Sequence, residues 1–253
     1  MKTTWVLLFL FIPACCFSKE SCLNLVFCPV NYQSEKIFIE DTIAIASRLK
    51  KTAPFKDISN RISFFRLVLS PEEQKQFLQR SQGIPPLKIN RALLNRTGHS
   101  IKSAYKLVLI DAKGGVSCAE LSEISKVSLI ILGRSRYGSA DSFTKGFLHE
   151  LGHSLGLRDE GLNSQAALCQ PGPPNCAVTE EEAKNWWGDL AGKVSRVNYI
   201  NGCCGNISYF RPTIASLMND PDKANDFGPV NERYLTQTLQ TLYRTACDTE
   251  GYK

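Results

Sequence analysis

Apolar residues along the chain gather in four short runs, with polar and amphipathic segments between them. The runs are rich in Val, Ile, Leu and Phe, a composition that predicts buried β-strands. They cover residues 23–27, 62–69, 105–111 and 126–133. Because helical segments lie between these strands, the pattern predicts an α/β fold built on a mixed sheet.

Three segments show the apolar spacing of helices. Residues 35–51 predict an amphipathic helix that Pro54 ends; its apolar side would contain Ile39, Ile43, Ala46 and Lys50. Residues 71–79 predict a short helix opened by Pro71. Residues 231–246 predict a last helix that docks on the lower core through Leu235, Leu239 and Leu242.

A further helix follows the fourth strand and contains the segment FLHELGHSLGLRDE, residues 147–160. One side of it is apolar and can pack under the sheet. That side consists of Phe143, Phe147, Leu148, Leu151 and Leu155. His149 and His153 lie elsewhere on the circumference, one turn apart. The helix therefore presents two imidazoles together while its back is buried.

Length and composition indicate one globular domain. The chain has 253 residues, of which 43% are hydrophobic, enough to bury a core. Its net charge of +6 is spread over short clusters, so nucleic-acid binding is not expected. Residues 160–230 are rich in turn formers and have little periodicity. We therefore expect a single domain with a loop-rich, disulfide-stapled lower lobe.

The N-terminus has the layout of a secretory signal. Residues 1–18, MKTTWVLLFLFIPACCFS, contain one lysine, an apolar run and then small residues. The run is too short to span a bilayer, so no transmembrane span is expected. We predict cleavage after Ser18, which leaves residues 19–253 as the mature domain, secreted or at the cell surface or periplasm. A lipid anchor on Cys15 is the alternative, and Pro13 argues against it.

Ten cysteines are many for a cytoplasmic chain of this size, and they support export to an oxidising compartment. Eight remain after the signal: Cys22, Cys28, Cys118, Cys169, Cys176, Cys203, Cys204 and Cys247. Cys169 and Cys176 are near enough in sequence to close a small loop. The vicinal Cys203 and Cys204 pair either with each other or with separate partners. No pair has Cys-x-x-Cys spacing, so we predict structural disulfides and no thiolate zinc site.

His149, Glu150 and His153 form a His-Glu-x-x-His motif. Two imidazoles four residues apart on a helix can bind one zinc ion together. Zinc would make a water molecule more acidic, and Glu150 would accept the proton as general base for attack on a peptide carbonyl. The motif takes up two of the chain's three histidines. We predict a metal site here.

The third ligand is less clear from the residues alone. Gly156 is placed where the helix must break if the chain is to turn back toward the same metal. The next acidic groups are Asp159 and Glu160, and neighbouring side chains of an extended segment point to opposite sides. His99, the remaining histidine, is a rival ligand in a polar loop.

His-Glu-x-x-His-x-x-Gly-x-x-Asp resembles the metzincin zinc-binding motif with aspartate in place of the third histidine. Met218 resembles the methionine of the turn that lies beneath zinc in that clan. Residues 23–245 more broadly resemble the IgA-peptidase-like family of zinc metallopeptidases. The segments that carry this resemblance are NLVFCPVNYQ, APFKDISNRISFFRL, RYGSA, HELGHSLGLRDE and FRPTIASLM.

The resemblance implies a secreted or surface zinc endopeptidase with an α/β upper lobe, a lower lobe and a cleft between them. It implies that Asp159 completes the metal site with His149 and His153. Peptides or proteins would be the substrates, and Tyr199, Tyr209 and Arg211 are candidates to steady an oxyanion. The alternative is an exported binding or adhesion module that keeps the fold without turnover. Retention of Glu150 argues against it, because a binding module has no use for a general base.

Overall fold

The computed structural model describes residues 23–72, 105–119, 127–162 and 169–248. The proposed signal at residues 1–18, His99 and most of the predicted helix at 71–79 lie outside them. Within the described ranges, no helix is both long and apolar enough to cross a membrane.

A five-stranded sheet forms the centre of the fold, in the order β2-β1-β3-β5-β4. Its strands are β1 (Leu23–Val30), β2 (Ile62–Arg66), β3 (Tyr105–Asp111), β4 (Cys118–Ala119) and β5 (Val127–Gly133). The four longer strands are parallel, and β4 pairs antiparallel with β5 at one edge. The predicted α/β class with a mixed sheet is confirmed.

The sheet buries both faces, as a mainly parallel sheet must. One face carries Leu25, Val108 and Ile130 and packs in the main core with α1 (Glu35–Leu49) and α2 (Ala140–Ser154). The opposite face carries residues such as Val26 and Leu107, which belong to a second cluster. Side chains alternate between the two faces along each strand, so the sheet contributes to two separate cores.

Helix α1 buries only part of the side that was predicted: Ala46 is buried, and Ile39 and Lys50 are half-buried. Phe38, Ile45 and Leu49 are buried, whereas Ile43 is 42% exposed. The buried side is thus shifted toward Phe38, which packs in the main core. Asp41 is also buried on this side, because it accepts hydrogen bonds from Tyr32 Oη at 2.7 Å and Arg134 Nε at 3.1 Å.

Helix α2 packs under the sheet as its apolar spacing predicts, since all five residues of its apolar side are buried: Phe143, Phe147, Leu148, Leu151 and Leu155. Ser139 caps its N-terminus by accepting the Ser142 N–H at 3.1 Å. At the other end, the buried Lys106 ammonium donates to the Ser154 carbonyl at 2.8 Å. Burial lowers the pKa of Lys106 to about 7. The sheet thus fixes the position of the helix end.

Gly156 turns the chain after α2. Its φ of +103° is in the left-handed region, and the Leu157 N–H bonds back to the Gly152 carbonyl at 3.0 Å. This is a glycine-terminated helix end of the Schellman type. The predicted break at Gly156 is confirmed, and it redirects the chain toward Asp159.

We expect Gly156→Ala to destabilise the protein more than Gly192→Ala. Both glycines have positive φ, so alanine costs about 1–3 kcal/mol in backbone strain at either site. At Gly156 an added Cβ would also lie 2.4 Å from Tyr234 Oη, whereas at Gly192 it would meet nothing within 4 Å. Denaturant midpoints of the two variants measure the difference. Equal losses would show that the Tyr234 contact does not constrain this turn.

The second half contains α3 (Glu180–Trp187), the hairpin β6 (Ile200–Cys203) and β7 (Asn206–Arg211), and α4 (Pro229–Asp248). The hairpin is stapled by Cys169–Cys204 and Cys176–Cys203 disulfides. The suggested Cys169–Cys176 loop is therefore wrong, and the vicinal cysteines do take separate partners. The predicted disulfide-stapled, loop-rich half is confirmed.

Helix α4 confirms the predicted last helix but not its docking site. Its buried Leu235, Leu239 and Leu242 join the main core with α2 and the sheet. A separate small cluster around Trp187 fills the lower half. Val230, near the start of α4, belongs to that cluster, so the helix contacts both halves.

Candidate metal centre

The orientation of the two imidazoles is fixed by backbone carbonyls. His149 Nδ1 lies 2.8 Å from the Leu217 carbonyl, and His153 Nδ1 lies 2.9 Å from the Leu157 carbonyl. A carbonyl only accepts, so each Nδ1 carries the hydrogen and donates it. In the neutral rings each Nε2 is then an unprotonated lone pair, which is the form that binds a metal.

The two Nε2 atoms lie 3.1 Å apart, and the Asp159 carboxylate completes a triangle with them. Asp159 Oδ1 is 3.4 Å from His149 Nε2 and 3.7 Å from His153 Nε2. Tetrahedral zinc with ligand distances near 2.0–2.1 Å requires its ligand atoms to be roughly 3.3 Å apart. His149, His153 and Asp159 form the one group of described residues able to hold a metal ion.

The charges around the triangle favour a cation at its centre. Burial and the neighbouring His153 lower the pKa of His149 to about 4. Burial also acts to lower the pKa of His153, but the hydrogen bond and charge of Asp159 overcome this and raise it to about 9. The negative charge of Asp159 thus stabilises a positive charge beside the imidazoles. A metal ion would supply that charge in place of a proton, because metal ligands must be deprotonated.

The three side chains remain partly open to solvent. His149 is 17% exposed, His153 15% and Asp159 29%. Structural zinc sites have four protein ligands, whereas catalytic ones have three and an open position for water or substrate. Three accessible ligands fit the catalytic type.

Glu150 follows the first histidine on α2 and is only 5% exposed. Burial raises the pKa of its carboxyl to about 7, against the positive charges of His153 and Arg136. Charged neighbours act on the Glu150 carboxyl, but none of the described residues donates a hydrogen bond to it. A carboxyl group that has a pKa near neutrality and accepts no hydrogen bond from the described residues suits proton transfer.

Glu160 points away from the metal triangle and is completely buried. Its Oε1 accepts from Asn175 Nδ2 at 2.9 Å and Asn231 Nδ2 at 2.7 Å, and Oε2 accepts from Ser216 Oγ. Asp159 and Glu160 therefore face opposite ways, as neighbours in an extended segment do. Residue spacing does not identify Asn175, Ser216 or Asn231 as partners of Glu160.

Met218 lies fully buried beneath α2. Its carbonyl accepts the Glu160 N–H at 2.9 Å, and the preceding carbonyl of Leu217 holds His149. A Cβ added to Gly152 would lie 2.6 Å from Met218 Sδ, so glycine permits this close approach. The turn around Met218 thus holds both the His149 imidazole and the loop that carries Asp159.

The three suggested oxyanion groups have other contacts. Tyr199 stacks on Trp187 with ring centroids 6.4 Å apart, and Tyr209 packs against the cysteine cluster. Arg211 Nη1 donates to the carbonyls of Glu160 at 2.9 Å and Gly202 at 2.8 Å. These residues support the lower half of the domain.

No protein-family model matches the sequence, and a comparison with curated proteins finds no match. Among solved structures, an archaemetzincin from Methanopyrus kandleri gives a TM-score of 0.42 at 13% identity, over 86% of this chain and 96% of that one. An archaemetzincin from Archaeoglobus fulgidus complexed with malonate gives 0.30 at 15%, over 54% and 80%. A zinc-dependent peptidase from Methanocorpusculum labreanum gives 0.26 at 13%, over 54% and 82%. These likenesses are distant.

Proposed function

We propose that the protein is a zinc-dependent endopeptidase that hydrolyses peptide bonds of proteins outside the cytoplasm. One observation carries this proposal. Nε2 of His149, Nε2 of His153 and Oδ1 of Asp159 are separated by the distances expected between ligands of one metal ion. This group is partly open to solvent, and Glu150 lies beside His149 in the same helix. Two imidazoles and one carboxylate are a donor set that zinc accepts in hydrolytic enzymes.

Each residue has a definite role in this proposal. His149, His153 and Asp159 would hold the ion, and the Leu217 and Leu157 carbonyls keep the imidazoles in the metal-binding tautomer. When bound, zinc supplies Lewis-acid chemistry, polarising a peptide carbonyl and making water more acidic. The Glu150 carboxylate would accept the proton of the attacking water and then deliver it to the leaving amine.

The compartment is part of the same proposal. Removal of residues 1–18 would yield the mature domain, residues 19–253. The Cys169–Cys204 and Cys176–Cys203 disulfides support an oxidising destination, because such bonds persist outside the cytoplasm. The match of motif residues 149–160 and Met218 to the IgA-peptidase-like pattern supports membership of that family.

Metal analysis combined with a peptide-library digest tests the proposal. We expect about one zinc ion per purified chain, internal cleavage of peptides, and loss of cleavage after chelation that returned zinc restores. The digest separates the two functions: a chain that binds zinc and cleaves no peptide would be the exported binding module. Cleavage that survives thorough removal of metal would contradict the zinc mechanism.

A further inference from the structure

The side chain of Asn175 spans both residues that flank Asp159. It is completely buried. Its Oδ1 accepts the Arg158 N–H at 2.9 Å, and its Nδ2 donates to the Arg158 carbonyl at 2.9 Å and to Glu160 Oε1 at 2.9 Å. The candidate third ligand thus lies between two residues held by one carboxamide.

The chemistry of this contact requires a carboxamide. The planar carboxamide forms two hydrogen bonds with the Arg158 backbone, one as acceptor and one as donor, as a neighbouring β-strand would. Its second N–H goes to the Glu160 carboxylate, so the amide uses both of its hydrogens. An aspartate would have no hydrogen for either acceptor and would place charge against the Glu160 carboxylate. An alanine would leave these buried backbone groups without this partner.

Asn175 is itself rigidly placed. The next residue, Cys176, is in the disulfide to Cys203 and exchanges two backbone hydrogen bonds with Gly172, at 2.7 and 3.1 Å. From the same disulfide cluster, the Cys204 N–H donates to the Asp159 carbonyl at 3.1 Å. The backbone is therefore fixed at three consecutive residues, 158 to 160.

We propose that Asn175 is a positioning residue that holds Asp159 in the geometry required for metal binding. The inference rests on the proposed metal site. A ligand on a loop loses conformational freedom when it binds an ion, and a loop that is already fixed loses less. Asn175 therefore raises metal affinity without touching the metal. Loss of a group that orients a ligand lowers metal affinity by about 10- to 100-fold.

The test compares Asn175→Ala and Asn175→Asp with the unsubstituted protein. Zinc affinity is measured by competition with a chromophoric chelator, and ligand geometry is read from the visible absorption spectrum of the Co²⁺-substituted protein. We expect about 10- to 100-fold weaker zinc binding, with a larger loss for Asn175→Asp, and an altered Co²⁺ spectrum in both variants.

Asn24→Ala is the matched control. Asn24 is also a buried asparagine. It lies opposite Tyr105 in the pairing of β1 with β3, on the sheet face away from α2. This variant is expected to lose stability while its zinc affinity and Co²⁺ spectrum stay as in the unsubstituted protein. Unchanged affinity and spectrum in both Asn175 variants would overturn the role of Asn175. An unsubstituted protein that takes up neither ion would instead contradict the proposed function.

Hydrogen exchange on the unsubstituted protein gives an answer even if both variants fail to fold. If fixing residues 158 to 160 favours metal binding, then bound zinc must stabilise the same contacts to the same extent. Exchange of the Arg158 amide, which donates to Asn175, is expected to slow on zinc binding. An Arg158 exchange rate that zinc leaves unchanged would overturn the inference.

Discussion

Glu150→Gln is expected to lower peptide cleavage on the order of 10²- to 10⁴-fold while the protein keeps its zinc. The amide has the shape of the carboxylate but cannot accept a proton from water. Glu150 is outside the metal triangle, so zinc content should not change. Single-turnover cleavage of a peptide and metal analysis of the same sample measure the two quantities.

Asp141→Asn is the control for this result. Asp141 is in the first turn of the same helix and pairs with Arg48 at 2.9 Å and Lys145 at 2.9 Å. Its loss weakens contacts at the helix start and leaves the distant site unchanged. Near-normal cleavage is therefore expected in Asp141→Asn. Undiminished turnover in Glu150→Gln would rule out Glu150 as the general base.

The sequence predicted best the elements whose apolar residues lie on the same faces that the fold buries. The inner parallel strands β1, β3 and β5 are mainly apolar on both faces and buried on both, and α2 has an apolar side that fits beneath them. For α1 the prediction was right for Ala46 and wrong for Ile43, because apolar residues lie on more than one side of this helix. Only the packed sheet, with Asp41 paired to Arg134, decides which side is buried.

The lower half was less predictable because its stability depends on contacts between distant residues. Helix α3 is only eight residues long, yet Thr179 and Glu182 form a capping box that the sequence does display. The disulfide partners and the contacts of Asn175 join residues that are far apart in sequence. No periodic pattern encodes such contacts, and they become visible only when the chain is folded.

Asp159→Ala is expected to weaken zinc binding strongly and to destabilise the metal-free protein less than Glu160→Ala does. The Asp159 carboxylate lies 3.4 to 3.7 Å from both imidazole Nε2 atoms, so its removal deletes one of three ligands. Loss of its charge beside His153 lowers metal-free stability, but Asp159 is 29% exposed, whereas Glu160 is completely buried. Zinc competition with a chelator and denaturant unfolding of the metal-free protein measure the two effects.

Glu160→Ala is expected to show the opposite pattern. The buried Glu160 carboxylate accepts hydrogen bonds from Asn175, Asn231 and Ser216, and each donor left unpaired costs about 1–3 kcal/mol. Metal-free stability should therefore fall substantially. Zinc affinity should fall by about 10- to 100-fold at most, because Glu160 acts on the ion only through the loop that carries Asp159. The two neighbouring acids are thus separable by experiment: one variant loses the metal and keeps the fold, and the other mainly loses stability. If Glu160→Ala loses more zinc affinity than Asp159→Ala, Glu160 is the ligand and Asp159 is not.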